Sequence, residues 1–135
     1  PLLLMQSLSE HLGDEAAGAV INMVDQRVLK LNPQYMSYTA TKAALWTATR
    51  TAAQALAPNI RVNAIGPGPT LANTRQSSQD FADEAAAVPL GAGPTLEEIA
   101  HTVRFILVTP SLTGQMIALD GGQHLAWRTA DILED

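Results

Sequence analysis

The sequence predicts an α/β fold in which a parallel sheet carries helices on both faces. Three observations predict it. Residues 18–24, Gly-Ala-Val-Ile-Asn-Met-Val, form a nearly continuous apolar run, the pattern of a strand buried on both sides. A long Ala-rich segment over 35–56 separates that run from a second strand at 60–65, which leaves room for a parallel crossover. A third apolar run at 115–119 follows another segment of helical length, so helix and strand alternate along the chain.

Each element has its own signal. Apolar positions at 1–5, 8 and 12 predict a first helix with one broad buried face, closed by Gly13. Residues 14–17 read as a short loop before the first strand, and residues 25–34 as a polar connection with a turn at Asn32-Pro33. The helix over 35–56 carries Ala40, Ala43, Ala44, Ala48, Ala52, Ala53 and Ala55. Helix propensity alone accounts for the alanines. The interspersed threonines favour close helix packing, hence a subunit contact as well as the sheet.

Ala57-Pro58-Asn59 stops that helix. After the strand at 60–65, Gly66-Pro67-Gly68-Pro69-Thr70 is a rigid loop whose backbone can approach a ligand. Residues 71–94 are polar around Phe81, with a weak helical pattern over 79–87, and read as a mobile flap or a plain surface excursion. Thr95-Leu96-Glu97-Glu98 is a capping box opening a helix that ends before Pro110. Asp120-Gly121-Gly122 turns out of the third strand into a tail bearing Leu125, Trp127, Ile132 and Leu133.

Composition narrows the function. In 135 residues, 47% hydrophobic and 16% charged side chains describe one globular domain and not a disordered segment. A net charge of −5, with eight scattered Lys and Arg, argues against nucleic acid and against anionic membranes. No cysteine is present, so disulfide and thiolate chemistry are excluded and a reducing cytoplasm suits the chain. Neither a membrane span nor a signal peptide is expected. His11, His101 and His124 show no metal-ligand spacing, so no metal site is expected. The abrupt apolar opening Pro1-Leu2-Leu3-Leu4-Met5 suits a first helical turn or a cut inside a longer chain.

The chemistry concentrates in Tyr38 and Lys42, which stand at i and i+4 and so share one helical face. A phenol beside a fixed ammonium should have a lowered pKa and can exchange a proton with a substrate oxygen or nitrogen. An amphipathic helix with a snorkelling lysine would show the same spacing. Asp25 stands where the first strand runs out. With the 66–70 loop it falls on the carboxyl edge of the sheet, where such sheets bind ligands.

These residues resemble the short-chain dehydrogenase/reductase family, over essentially the whole chain but matching only the second half of a member. Asn22-Met23-Val24-Asp25 looks like the strand that carries its catalytic serine position, and Tyr38-x-x-x-Lys42 like its active-site signature. Residues 60–68 are similar to its strand and Pro-Gly cofactor loop, and residues 111–122 to its closing strand. The resemblance implies a Rossmann-like sheet, present here only as its carboxyl-terminal half over residues 1–135, with the Gly-rich dinucleotide-binding half absent. It implies Tyr38 as proton donor and Lys42 as holder of the ribose hydroxyls that lowers the Tyr38 pKa. Pro67, Gly68 and Thr70 would line the nicotinamide, with Met23 and Val24 against the ring.

Asp25 departs from the usual serine, and in this it is similar to the pteridine reductase branch. There the acid helps to protonate a ring nitrogen while NADPH supplies hydride. A turn-forming Asp at a strand end is the plain alternative. The resemblance thus implies an NADP(H)-dependent reductase, with NAD(H) as the alternative cofactor, acting on a pterin-like C=N. Further alternatives are a general carbonyl or alcohol dehydrogenase and a non-catalytic oligomerising fragment. A homotetramer and a separate amino-terminal half are the implied partners. His124, Trp127 and Arg128 would border a substrate pocket or form a surface tail.

Overall fold

The structure, a computed structural model, describes residues 1–13, 17–74 and 76–127. Most of the 14–17 loop, and the tail positions Arg128, Ile132 and Leu133, lie outside the described residues. Helix α1 spans Leu2–Leu12, strand β1 Gly18–Met23, helix α2 Met36–Ala55 and strand β2 Ile60–Pro67. Helix α3 spans Ser78–Ala86, helix α4 Leu96–Val108 and strand β3 Met116–Leu119. Short 3₁₀ turns occupy Gln26–Val28 and Gln123–Leu125. The strands form one parallel sheet in the order β1-β2-β3, with Gly18 opposite Ile60 and Ala64 opposite Met116.

Strand β2 lies in the middle, and its alternation assigns the two faces. Ile60 and Val62 join Met5 of α1 and Ala53 of α2 in the core on one side, with Leu8, Leu12, Val20, Ala52 and Leu56 around them. Asn22 also points to this side, where its amide donates to the Thr49 hydroxyl at 2.9 Å and so satisfies a buried polar pair. Arg61 and Asn63 point to the other side, toward α4 and the loop after it. The expected covering of both faces is present.

Arg61 is the feature here that pattern reading passes over. Its Nη1 donates to the carbonyls of Ile106 at 3.0 Å, Thr109 at 3.1 Å and Leu112 at 3.0 Å, and its Nη2 to that of Leu107 at 3.0 Å. A guanidinium thus caps the carboxyl end of α4, where orphan carbonyls and the helix dipole both favour a cation. Arg61→Met should lower stability by about 2–4 kcal/mol, from charged hydrogen bonds worth roughly 1.5–3 kcal/mol each in a shared network. A urea melt checks this; a loss below about 0.5 kcal/mol would show the clamp to be incidental.

Two expectations need correction. The first helix does not bury one broad face: Met5 is buried and Leu8 and Leu12 are partly so, whereas Leu2, Leu3 and Leu4 stand open. Positions 5, 8 and 12 follow the helical period toward the sheet, and positions 2–4 cover the remaining arc. The 71–94 segment is not a free flap along its whole length. Ser77 and Asp80 form a capping box that starts α3. Beyond that helix, Leu90 N donates to Gly121 O at 3.0 Å and Val88 is buried. Gly93 lies so close to the Pro69 carbonyl that a side chain there would collide with it.

No helix among the described residues is long and apolar enough to cross a membrane, and no group of His, Asp or Glu among them is arranged to hold a metal.

Candidate active site

The carboxyl ends of β1 and β2 open into a cleft of about 1370 Å³. Seven of the eight residues singled out from sequence line it: Met23, Val24, Asp25, Tyr38, Pro67, Gly68 and Thr70. The topology brings them together. Asp25 follows directly on β1, α2 returns Tyr38 past that strand end, and β2 delivers the Pro-Gly loop alongside.

Asp25 has extended backbone, with φ −169° and ψ 142°, and caps the first 3₁₀ turn. Its Oδ1 accepts the Arg27 backbone N–H at 2.8 Å, which is the turn-forming role. Its Oδ2 accepts the Tyr38 phenol O–H at 2.7 Å. One oxygen thus holds the turn and the other accepts from the phenol.

Lys42 sits one helical turn after Tyr38, as the spacing predicts, but its ammonium goes elsewhere. Nζ donates to the Met23 carbonyl at 2.8 Å and lies 5.7 Å from the centroid of the Tyr38 ring. This corrects the expected effect on the phenol. Burial first, and then the hydrogen bond and negative charge of Asp25, push the Tyr38 pKa up to about 12, with the Arg27 charge pulling the other way. A hydrogen-bonded carboxylate favours the protonated phenol, and a lysine turned to a carbonyl does not offset it.

The consequence is measurable. The chain has two tyrosines, so the difference between the tyrosinate absorbance titrations of the wild type and of Tyr38→Phe isolates one phenol. It should ionise near pH 12 and not near the ordinary 10. Because the folded value lies above the unfolded one, stability should decline as pH rises from about 10 through about 12. An ordinary phenol titration would remove the Asp25 contact from solution.

The loop after β2 is held from behind. Gly68 N donates to Leu119 O at 3.0 Å, and a Cβ on Gly68 would meet Asp120 Cα at 2.7 Å, so only glycine fits against β3. The Thr70 hydroxyl donates to Gly68 O at 3.0 Å, a bond within the loop. Asp120 is buried and accepts from the backbone of Gly122 at 3.0 Å and of His124 at 2.8 Å, and pairs with His124 Nδ1 at 2.7 Å. His124 therefore braces the Asp120 turn. Neither it nor Trp127 lines the cleft; among the described tail residues Gln123 reaches it.

Pattern reading missed Gln26, Arg27, Tyr35 and Phe81, which also line the cleft. Tyr35 is the left-handed N-cap of α2, just outside the helix, so the helical spacing to Tyr38 does not by itself place it. Arg27 had no usable signal, because its place depends on how the turn after Asp25 folds.

A family model described as enoyl-(acyl carrier protein) reductase matches residues 1–124. Dihydromonapterin reductases of Citrobacter koseri and Escherichia coli are each 32% identical over 127 residues, covering 93% of this chain and 53% of the relative. Among solved structures, FolM alternative dihydrofolate reductase 1 from Brucella suis, in complex with NADP, superposes with a TM-score of 0.95 at 56% identity. That match covers 98% of this chain and 54% of the other. A putative short-chain dehydrogenase/reductase from Burkholderia xenovorans matches with a TM-score of 0.73 at 29% identity, over 90% of this chain and 48% of its own. The chain spans about half the length of the relatives it matches.

Proposed function

This chain belongs to the short-chain dehydrogenase/reductase family, and from that premise we propose that it is the catalytic half of an NADPH-dependent reductase of dihydropterins. The observation that carries the reading is the 2.7 Å hydrogen bond from the Tyr38 phenol to Asp25 at the mouth of β1. The kinship with dihydromonapterin reductases and with an NADP-bound FolM supports the substrate class and the cofactor.

The residues present fit a nicotinamide nucleotide. Lys42 uses one N–H on Met23 O, and an ammonium has three, so donors remain for ribose hydroxyls. Met23 and Val24 line the cleft together with the Pro67–Thr70 loop. When bound, the cofactor supplies hydride to the carbon of the substrate C=N bond. Tyr38 delivers the proton that the ring nitrogen takes up, so C=N becomes CH–NH.

A phenolate beside a carboxylate would place two negative charges in contact, which the raised Tyr38 pKa expresses. The phenol therefore gives up its proton at low cost only if another reaches it as the first leaves, and Asp25, hydrogen-bonded to it, is the group placed to relay one. Asp25 is the proton relay in this scheme, and Tyr38 the group that touches the substrate. Lys42 orients the β1 carbonyl and the ribose and does not acidify the phenol.

The sheet edge at β1 has no paired strand among the described residues, which suits an amino-terminal half that supplies the phosphate-binding turn. Assembly into a homotetramer, with small-molecule substrate and no nucleic acid or membrane partner, belongs to the same proposal, as does a reducing cytoplasm for a chain without cysteine.

The test follows NADPH oxidation by the complete reductase with dihydropterin, quinonoid dihydropterin and small ketones. Turnover of the dihydropterins is expected. Turnover of ketones alone would make this a general carbonyl reductase, and no turnover at all would make it a non-catalytic remnant. The isolated 135-residue chain should show no saturable NADPH binding, and tight binding in a titration would overturn the half-site reading.

A further inference from the structure

The turn after β3 bears on more of the cleft than its own residues line. Asp120 stands at the end of that strand, is buried, and has no Lys or Arg partner among the described residues. Three N–H groups hold its charge instead. Gly122 N donates to Oδ1 at 3.0 Å, and His124 brings its backbone N–H to Oδ2 at 2.8 Å and its ring Nδ1 at 2.7 Å. A carboxylate only accepts, so Nδ1 carries the hydrogen of that last bond. A buried carboxylate that loses a donor has to reach water, and here that means opening the turn.

The turn cannot open without moving its neighbours. Gly68 presses on it so closely that a Cβ there would meet Asp120 Cα at 2.7 Å and Asp120 Cβ at 2.8 Å. Gly68 N also donates to Leu119 O at 3.0 Å. Gly121 lies against the Ala92 carbonyl and Val88, and its own carbonyl accepts from Leu90 N at 3.0 Å. Gln123, between the two residues of the pair, lines the cleft and donates to Glu84 of α3 at 3.4 Å. Gly68 lines the cleft as well. The Pro67–Thr70 loop, the return of the 71–94 segment and Gln123 thus share one support. Among the described residues, the His124 imidazole is the side-chain donor within it.

We propose that His124 is a positioning residue: by holding the Asp120 turn closed it fixes the Pro67–Thr70 loop and so sets the affinity for the nicotinamide nucleotide. The inference rests on the NADPH reading of the same cleft. His124 acts only through Asp120, since its own ring does not line the cleft.

The experiment uses the complete reductase as wild type, His124→Leu and His124→Asn. The Asn amide nitrogen stands the same number of bonds from the backbone as Nδ1, so it can restore the bond that Leu removes. Three readings are taken: NADPH affinity by fluorescence titration, steady-state kinetics, and amide hydrogen exchange of the ligand-free protein. His124→Leu should weaken NADPH binding by about 3- to 30-fold, the reach of one charge-assisted hydrogen bond. At saturating NADPH, kcat should change by less than about threefold, because no reacting group is touched. Exchange over residues 66–70 should speed up by at least about threefold, while exchange over β1, residues 18–23, stays at its wild-type rate. His124→Asn should recover most of the affinity and the slow exchange. If His124→Leu fails to fold by circular dichroism, His124→Gln takes its place, since its amide stands one bond too far out.

Unchanged NADPH affinity in a folded His124→Leu would overturn the inference. So would exchange that rises equally over 18–23 and 66–70, which would make His124 a general stability residue, or a His124→Asn no better than His124→Leu. A wild type that binds no NADPH would remove the cofactor reading and this inference with it.

Discussion

Replacing Tyr38 by Phe should lower kcat by about 10²–10⁴-fold while KM stays within a small factor, the signature of a lost general acid. The phenol oxygen is the one group on the α2 rim that reaches Asp25, at 2.7 Å, and no other hydroxyl among the described residues donates to that carboxylate. The ring is 43% exposed, so its packing carries little of the core, and the stability change should stay near 1 kcal/mol, a single lost hydrogen bond. Steady-state kinetics beside a urea melt separate the two effects. Turnover unchanged in a folded variant would remove Tyr38 from the chemistry and leave only a fold.

Asp25→Ser should have the second large effect, and it separates chemistry from architecture. A serine oxygen can still accept the Arg27 backbone N–H and cap the turn, so the 3₁₀ turn at Gln26–Val28 should survive. The carboxyl group that accepts the phenol hydrogen bond, and that returns a proton to the phenol in the proposed scheme, would be gone. Dihydropterin reduction should fall by about 10²-fold or more, the range of a lost acid–base group. The Tyr38 phenol should at the same time titrate below its wild-type value of about 12, because two of the three influences raising it come from Asp25 and only burial would remain. Kinetics and the tyrosinate titration read these outcomes independently. Full pterin turnover with a lowered phenol pKa would mean that Asp25 tunes Tyr38 without supplying the proton. Full turnover with an unmoved pKa would reduce Asp25 to a turn residue.

Much of the site was legible before any coordinates. Strand β1 announced itself as a run of apolar residues, α4 by the Thr95–Glu98 box that the structure reproduces with both reciprocal hydrogen bonds, and α2 by its length and composition. The two strands pair in parallel with Met23 opposite Ile65, and β2 runs two residues further to Pro67. What went astray was of one kind. Leu2, Leu3 and Leu4 read as core and are exposed, because an apolar cluster does not say which arc of a helix meets the sheet. Arg61 read as a strand residue and is one, but its second role as the cap of α4 was not legible, because its partners lie about 45 to 51 positions away.

By itself the sequence determined the order of strands and helices and the arrival of Asp25, Tyr38 and the Pro67–Thr70 loop on one rim. Those facts are written in caps, breakers and periodicities that act over a few residues, and parallel topology converts them into a shared edge. Only the tertiary structure decided how the charges there are wired. Lys42 turns to the Met23 carbonyl, the phenol gives its hydrogen bond to Asp25 and so holds its proton more tightly, and Arg27 lies desolvated against Tyr35. Each of these outcomes depends on through-space separations of a few ångströms between side chains on different elements, and electrostatic and hydrogen-bond energies change sign or vanish over that range.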